Sequence, residues 1–342
     1  MKRMLLFVTL VAAFALSWVV LDEIPLVVIG QPTTTGLMQE AKEAPFFRDL
    51  ARITGLPLQV TYTPINETGL KDTYQLQMLR EGVFDLVSLR FIQNSEAEPS
   101  LQGIDLVGLY ADFETARRVA RSYAATVDRY LRETFDAKLL GVWTFGPQVF
   151  FCRHPIQHLD DLAGLKVRVA SPSMASLITA LGGTPAIIAF DETRNALADG
   201  LVDCAITSAA SANYAGWAEH SQAYFPLAVH FGLNGYAISL KKWAQFSRRQ
   251  QEILQDAFDA YLDDLWAFSQ AIHADASSCN VGGDCQWGKP YQMALVEPSP
   301  HDSQRLKALA QTLLLPEWAE KCERVHPGCR TEWEAKVLAL VP

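Results

Sequence analysis

One arginine in this chain has the type and the position to bind an anion. In the stretch KVRVA, a strand period of two would place Lys166 and Arg168 on one face and the valines on the other. Residues 171–173, Ser-Pro-Ser, suit the start of a helix, and a helix N-terminus is positive. A guanidinium there can hold a carboxylate through two parallel hydrogen bonds. The alternative is an ordinary ion pair with Asp160 or Asp161.

Further polar residues follow other predicted strands. Gln31 and Thr33 lie in the loop after the first strand, and Arg90 and Gln93 follow the third. Open sheets bind ligands beyond their strand ends, so these four residues are candidate ligand contacts.

Two environments are open for Arg90. It either opposes Arg168 across a cleft as a second cation, or it forms a salt bridge with Glu96 or Glu98. Asp72 is a weaker candidate for ligand binding, because its position is typical of a solvated helix start.

The chain lacks the motifs of common catalytic and nucleotide-binding sites. It contains no GxSxG, HExxH, GxxxxGK[ST] or GxGxxG, and its seven histidines have no convincing spacing to an acid or nucleophile. With 29 Lys plus Arg against 38 Asp plus Glu, the net charge of −9 argues against a nucleic-acid partner. We expect neither enzymatic activity nor a cofactor. A thiol hydrolase that uses Cys152 or Cys204 is the alternative.

The six cysteines indicate disulfides rather than a metal site. They form no CxxC and have no histidine at metal-ligand spacing. Cys279 and Cys285 flank a Gly-rich turn, NVGGD, and Cys322 and Cys329 flank ERVHPG. Both pairs can close locally, so both are predicted to be oxidised, as is usual in exported proteins.

The N-terminus has the pattern of an export signal. Lys2 and Arg3 precede an apolar run over residues 4–20, with small residues at candidate cleavage points. Residues 1–20 are therefore predicted to be a signal peptide. The alternative is an uncleaved membrane anchor, since the run is just long enough to span a bilayer.

Apolar runs of strand length alternate with amphipathic stretches of helix length. This pattern is typical of parallel sheets covered by helices. Strands are predicted at 26–30, 58–62, 84–89 and 138–145. A long amphipathic helix is predicted at 247–274.

Residues 154–208 resemble one known family, the extracytoplasmic solute-binding subunits of TRAP transporters. The likeness continues to about residue 260 and is looser over residues 26–150. The residues that carry it are Asp161, Gly164, Lys166, Arg168, Leu181, Gly182, Pro185, Phe190, Leu197, Gly200, Val202 and Asp203.

The resemblance implies an α/β fold of the type II-like periplasmic binding protein class. Two α/β lobes would be joined by crossover strands and a long bracing helix. The expected first lobe comprises residues 22–146 and 235–275, and the second comprises 147–234 and 276–342.

The resemblance also implies roles for individual residues. The family's usual carboxylate clamp matches Arg168, and the position that packs on the solute matches Phe190. Gln148 stands where many members have a second arginine, so this pocket is expected to be less charged. Thr207 would offer a hydroxyl at a strand end, with capping of the next helix as its alternative role.

Two aromatic residues and two cysteines complete the expected site and its scaffold. If Trp143 or Tyr214 faces the cleft, the solute would have an apolar or ring-shaped body. The family places Cys152 and Cys204 on strands of one domain, where they could form a disulfide or remain a buried thiol pair.

The implied function is capture of a small carboxylate by lobe closure, followed by delivery to the small and large membrane subunits of a TRAP transporter. The protein is expected to be periplasmic and monomeric, or tethered if the signal is retained. A ligand sensor for a membrane receptor and a secreted thiol enzyme are the alternatives.

Overall fold

The computed structural model describes residues 23–341 of the 342-residue chain. The predicted export signal, residues 1–20, lies outside the described residues. Within the described range, no helix combines the length and the apolar character needed to cross a membrane.

The strands of the described chain form two separate sheets. In chain order they are β1 Ile24–Gly30, β2 Leu58–Pro64, β3 Leu86–Arg90, β4 Ala137–Thr144, β5 Gln148–Cys152, β6 Lys166–Val169, β7 Thr184–Ile187, β8 Cys204–Ser208, β9 Ala223–His230, β10 Leu233–Ser239 and β11 Ala294–Leu295. The first sheet has the order β2-β1-β3-β10-β4, and the second has the order β11-β9-β5-β8-β6-β7. The predicted α/β architecture of two lobes is confirmed, with one sheet in each lobe.

Helices cover both sheets. In chain order they are α1 Ala44–Thr54, α2 Gln75–Glu81, α3 Phe91–Asn94, α4 Ser100–Gly103, α5 Phe113–Phe135, α6 Pro172–Ala180, α7 Phe190–Ala198, α8 Ala209–Tyr214, α9 Leu240–Trp243, α10 Arg248–Asn280, α11 Pro300–Leu309, α12 Leu315–Val325 and α13 Cys329–Lys336. In each lobe a neighbouring pair of strands runs parallel, β1 with β3 and β6 with β8. Their carboxyl ends therefore share an edge of the sheet.

Two of the crossovers between the lobes lie at adjacent points, from β4 to β5 and from β9 to β10. The crossovers are bonded to each other, because the N–H of Phe145 donates to the carbonyl of Gly232 at 3.2 Å. Gly146 has φ +86°, and a Cβ there would lie 3.1 Å from Phe113 and 3.7 Å from His273. Gly146 therefore lies in a closely packed part of the crossover.

Helix α10 braces both lobes. Ser247 caps its N-terminus and exchanges hydrogen bonds with Gln250, forming a capping box. Near its start the helix packs on the first lobe through Phe258, and near its end it packs on the second through Ala276. The indole of Trp266 also donates to the carbonyl of Val142 at 2.9 Å. The predicted long helix is present and extends to Asn280.

The C-terminal tail packs on both lobes, which corrects one prediction. Residues 276–342 were expected on the second lobe, and α11 does lie there through Leu306. Helices α12 and α13 instead join the core of the first lobe. The indole of Trp318 donates to the carbonyl of Pro99 at 2.8 Å, and that of Trp333 donates to the carbonyl of Gly103 at 2.7 Å. Both indoles are fully buried, so the first lobe gives them an apolar environment together with hydrogen-bond acceptors.

All six cysteines are oxidised. The two predicted local disulfides are present, Cys279–Cys285 and Cys322–Cys329. Cys152 also pairs with Cys204, directly across the antiparallel strands β5 and β8. A thiol nucleophile at Cys152 or Cys204 is thereby contradicted, because both sulfurs are in a disulfide.

A first prediction tests how the tail is packed. Trp333→Ala should lower the free energy of unfolding by about 3–5 kcal/mol, because it empties a fully buried site. Trp287→Ala is the matched control: that indole is 41% exposed, so the loss should stay below about 1 kcal/mol. Urea unfolding measures both values. Equal losses would contradict the packing of α13 on the first lobe.

A second prediction concerns acid sensitivity at His273, beside the crossover. Burial lowers the pKa of His273 to about 4, and its Nδ1 has no hydrogen-bond partner among the described residues. As the pH falls below about 6.5, the unfolded state takes up the proton first. The stability contribution is therefore complete above pH 6.5 and is lost as the pH falls towards 4, by on the order of 1–3 kcal/mol.

The histidine can be tested by substitution. His273→Gln should flatten the decline in unfolding free energy between pH 6.5 and 4, whereas His154→Gln, at an exposed position, should leave it unchanged. Urea unfolding across this range provides the measurement. An unchanged slope in His273→Gln would show that His273 is not the group responsible.

Candidate functional site

The polar ends of strands from both sheets converge on one cavity. Arg90 is the last residue of β3, and Asn234 pairs with it from β10 in the first sheet. Arg168 and Thr207 lie near the carboxyl ends of the parallel strands β6 and β8 in the second sheet. Gln148 begins the antiparallel strand β5 at the same edge. Strand-end placement therefore brings the two lobes' polar residues face to face.

This cavity is small and of mixed character. Its volume is about 40 Å³, which is room for roughly three waters at ~10–15 Å³ each. The predicted residues that line it are Arg168, Gln148, Phe190, Thr207, Arg90 and Gln93. Phe145 and Met174 add apolar surface.

Arg168 is buried in the wall of the cavity and is only 4% exposed. Its Nε donates to the carbonyl of Ile188 and its Nη1 to the carbonyl of Ile206, each at 2.9 Å. Its guanidinium carbon lies 5.3 Å from the centre of the Trp217 ring. These contacts orient the side chain, but they supply no negative charge.

The alternative environment of Arg168 is contradicted. Asp161 accepts hydrogen bonds from two backbone N–H groups at the start of its own turn. Asp160 instead lies near His301 and Arg305. Among the described residues, no carboxylate forms an ion pair with Arg168, and its Nη2 makes no hydrogen bond.

The electrostatic environment of Arg168 is unfavourable for its charge. Burial, together with the positive charge of Arg90, lowers the pKa of Arg168 to about 9, while the negative charge of Asp72 acts in the opposite direction. The group is still charged at neutral pH. A buried cation without a counter-ion is costly, so the site favours an incoming anion.

Arg90 does share the cavity with Arg168, but its ion-pair partner is neither predicted residue. Its Nη1 lies 2.7 Å from the Oδ2 of Asp72. Glu96 pairs with Lys321, and Glu98 pairs with His326. The partner is Asp72 because the turn before α2 folds back over the end of β3.

Gln148, Phe190 and Thr207 line the cavity from the second lobe. The side-chain amide of Gln148 donates to the carbonyl of Gly146 at 2.9 Å. The ring of Phe190 packs on Trp217 with the centroids 5.0 Å apart. Ser208, rather than Thr207, caps the following helix, so Thr207 has no capping role.

Gln31 and Thr33, both predicted as ligand contacts, do not line this cavity. The amide of Gln31 is buried inside the first lobe and donates to the hydroxyl of Ser88 at 3.1 Å. Thr33 bonds to Asn66 through both its N–H and its hydroxyl. The side chains of Gln31 and Thr33 therefore turn back into the first lobe.

Trp143 and Tyr214 do not line the cavity either. Trp143 belongs to the core of the first lobe, with its ring 4.8 Å from that of Phe145. Tyr214 is 42% exposed, and its hydroxyl donates to Glu40 of the first lobe at 3.0 Å. An apolar or ring-shaped solute body is thus supported only by the other apolar residues of the wall.

Sequence reasoning missed two polar residues of the wall, Asn234 and His230. His230 is buried and has a structural partner, since its Nδ1 lies 2.9 Å from Asp105. Burial alone would raise the pKa of Asp105, but His230 and two backbone N–H donors outweigh it and lower that pKa. The sequence feature that could have identified Asn234 is its position at the start of β10, directly after a crossover between the lobes.

Away from the crossovers, side-chain hydrogen bonds also join the lobes directly. The hydroxyl of Thr34 donates to Asp191 at 2.5 Å, and the hydroxyl of Tyr214 donates to Glu40. Gly36 has φ +79°, and a Cβ there would lie 2.6 Å from the Tyr214 ring. The lobes are therefore in direct contact here as well as at the crossovers.

Two α/β lobes that close around a small cationic cavity define a solute-binding protein. The family model of the bacterial extracellular solute-binding proteins, family 7 (DctP), matches residues 32–313. The chain belongs to this family. Its predicted likeness to the solute-binding subunits of TRAP transporters is confirmed.

Two relatives match part of the chain. A solute-binding protein of Sulfitobacter sp. (strain NAS-14.1) is 30% identical over 139 residues, which is 40% of this chain and 42% of that protein. The C4-dicarboxylate-binding periplasmic protein DctP of Rhodobacter capsulatus is 26% identical over 167 residues, 48% of this chain and 50% of that protein. The chain therefore spans half or less of the length of each curated relative.

A solved structure matches nearly the whole fold. DctP7 of Bordetella pertussis, an extracytoplasmic solute receptor that binds pyroglutamic acid, is similar with a TM-score of 0.80. The match covers 92% of this chain and 99% of that chain at 16% identity. It confirms the predicted fold.

Proposed function

We propose that this protein is the extracytoplasmic solute receptor of a TRAP-type transporter. It captures a small organic acid anion between its lobes and delivers the anion to the membrane subunits. It works outside the cytoplasmic membrane and carries out no chemical step on the solute. The membrane subunits recognise the closed arrangement of the lobes, which exists for long periods only when the cleft is filled.

The observation that carries this proposal is the state of Arg168. Its two carbonyl partners use Nε and one N–H of Nη1. Nη2 and the second N–H of Nη1 remain at the end of the guanidinium, where they form a fork that fits a carboxylate. The solute's carboxylate would supply the counter-ion that the described residues do not.

The remaining wall suits the rest of a small acid. Phe190, Phe145 and Met174 offer apolar surface, while Gln93 and Asn234 offer side-chain amides. Such a wall accepts a short aliphatic or ring-shaped body that carries polar groups. The acids named for similar proteins, pyroglutamic acid and C4-dicarboxylates, are small and polar.

Lobe closure couples binding to transport. An ion pair between the solute and Arg168 becomes stronger as water leaves the cleft, because the local dielectric falls. The bonds from Thr34 to Asp191 and from Tyr214 to Glu40 add direct contacts between the lobes. A filled cleft thus favours the closed arrangement over an open one.

A third prediction tests the clamp. A thermal-shift screen of small carboxylic acids would first identify a ligand, since binding at 100 times its dissociation constant adds about 2.7 kcal/mol to stability. Arg168→Ala should then weaken that ligand's binding by at least about 2 kcal/mol, because one half of a buried charge pair is removed. Isothermal titration calorimetry measures the change.

Lys166→Ala is the matched control. It removes the same charge from the same strand two residues away, at an exposed position. Its affinity for the ligand should match that of the unmodified protein. Unchanged affinity in Arg168→Ala, with the fold intact by circular dichroism, would contradict the proposed function.

A further inference from the structure

The cavity wall has an uneven charge balance. Among the described residues that line it, Arg90 and Arg168 are cations, and none is a carboxylate. His230 also lines it, but that ring is paired with the carboxylate of Asp105 and so adds no net positive charge. The two arginines therefore decide what charge the cleft can accept.

The two arginines differ in whether the protein already neutralises them. Arg90 lies 2.7 Å from Asp72, whereas Arg168 has only carbonyl partners. The side chain of Arg90 is 12% exposed and that of Asp72 is 29% exposed, so solvent screens this ion pair only in part. One cation remains uncompensated.

A network of hydrogen bonds holds Asp72 beside Arg90. The amide of Asn94 donates to the backbone carbonyl of Asp72 at 2.8 Å and to the Oε1 of Gln75 at 3.0 Å. The same Gln75 oxygen accepts from the backbone N–H of Arg90 at 2.9 Å. Asn94 is only 1% exposed. The ion pair is thus built into the first lobe and does not depend on a solute.

From this charge balance we infer that the cleft selects acids with a single negative charge. This inference rests on the proposed function, in which the carboxylate binds Arg168. The far end of the solute is a neutral polar group, such as an amide, lactam, keto or hydroxyl group, and it faces Arg90 and the side-chain amides of Gln93 and Asn234. A second carboxylate at that end meets the negative field of Asp72 together with the positive field of Arg90, and it loses its hydration without a free counter-ion.

A fourth prediction compares acids of equal length that differ in one charge. Succinate is compared with succinamate, and glutarate with glutaramate, by calorimetry at pH 7.5. In each pair the monoamide should bind the unmodified protein at least about tenfold more tightly than the diacid. Asp72→Asn, which removes the charge that compensates Arg90, should reverse this preference or abolish it, chiefly by tightening the binding of the diacid.

Three variants act as controls. Asp49→Asn removes an equal charge from a pair with Arg52 on the surface of the first lobe, so the preference should be unchanged. Asp72→Glu keeps the negative charge and should keep the preference for monoamides. If Asp72→Asn does not fold, Arg90→Gln serves instead, since it leaves Asp72 unpaired and should widen the preference.

The outcomes separate this inference from the proposed function. Tighter binding of the diacid by the unmodified protein, or an unchanged preference in folded Asp72→Asn, would overturn the selection by charge. Either result would leave carboxylate capture by Arg168 in place. If no acid of either pair binds, the inferred selection fails, whereas the proposed function still stands on the ligand found by the screen. If Arg168→Ala does not weaken binding of that ligand, both the proposed function and the inference fail.

Discussion

A buried positive charge without a carboxylate of its own is the constraint on which this cleft depends. The carbonyls of Ile188 and Ile206 fix the direction of the Arg168 guanidinium but leave its charge uncompensated. In an open cleft, water would solvate that charge, whereas closure without an anion would leave it in a medium of low dielectric constant. The energetics of one side chain thus link occupancy of the cleft to the arrangement of the lobes. This link is what a receptor that reports its own loading requires.

The part of the site that sequence could predict depends on local rules. Alternation along KVRVA assigned Arg168 to a polar face, and Ser171 caps the following helix as its residue type predicts. The pair of Arg90 with Asp72 obeys no such rule. It joins residues 18 positions apart through a turn whose direction is set by the buried Asn94, and no periodicity encodes that contact. The environment of the Trp143 side chain was equally hard to predict, because an aromatic residue at the end of a strand suits either a core or a cleft.

In the fold as a whole, local sequence patterns likewise predicted some elements and left the long-range contacts open. Apolar runs predicted strands β1 to β4 to within two residues at each end, and the periodic pattern predicted helix α10 but ended it six residues early. The packing of the C-terminal tail was harder to predict. The apolar face of an amphipathic helix shows that the helix packs on another element, but not on which one. Trp318 and Trp333 pack on the first lobe, although the chain has just left the second at α11. The local disulfides were predictable because a short loop leaves few choices of partner.

The position of β10 has a consequence for how the chain can be assembled. This strand lies between β3 and β4 in the first sheet, yet it follows the whole stretch from β5 to β9 in the chain. Until residue 239 is available, β3 and β4 each expose an unpaired edge, and the contacts that close the sheet span long separations in sequence. The first lobe therefore cannot complete its sheet before the strands of the second lobe have been made. Cutting the chain at any single point before β10 would leave the N-terminal fragment with an incomplete sheet.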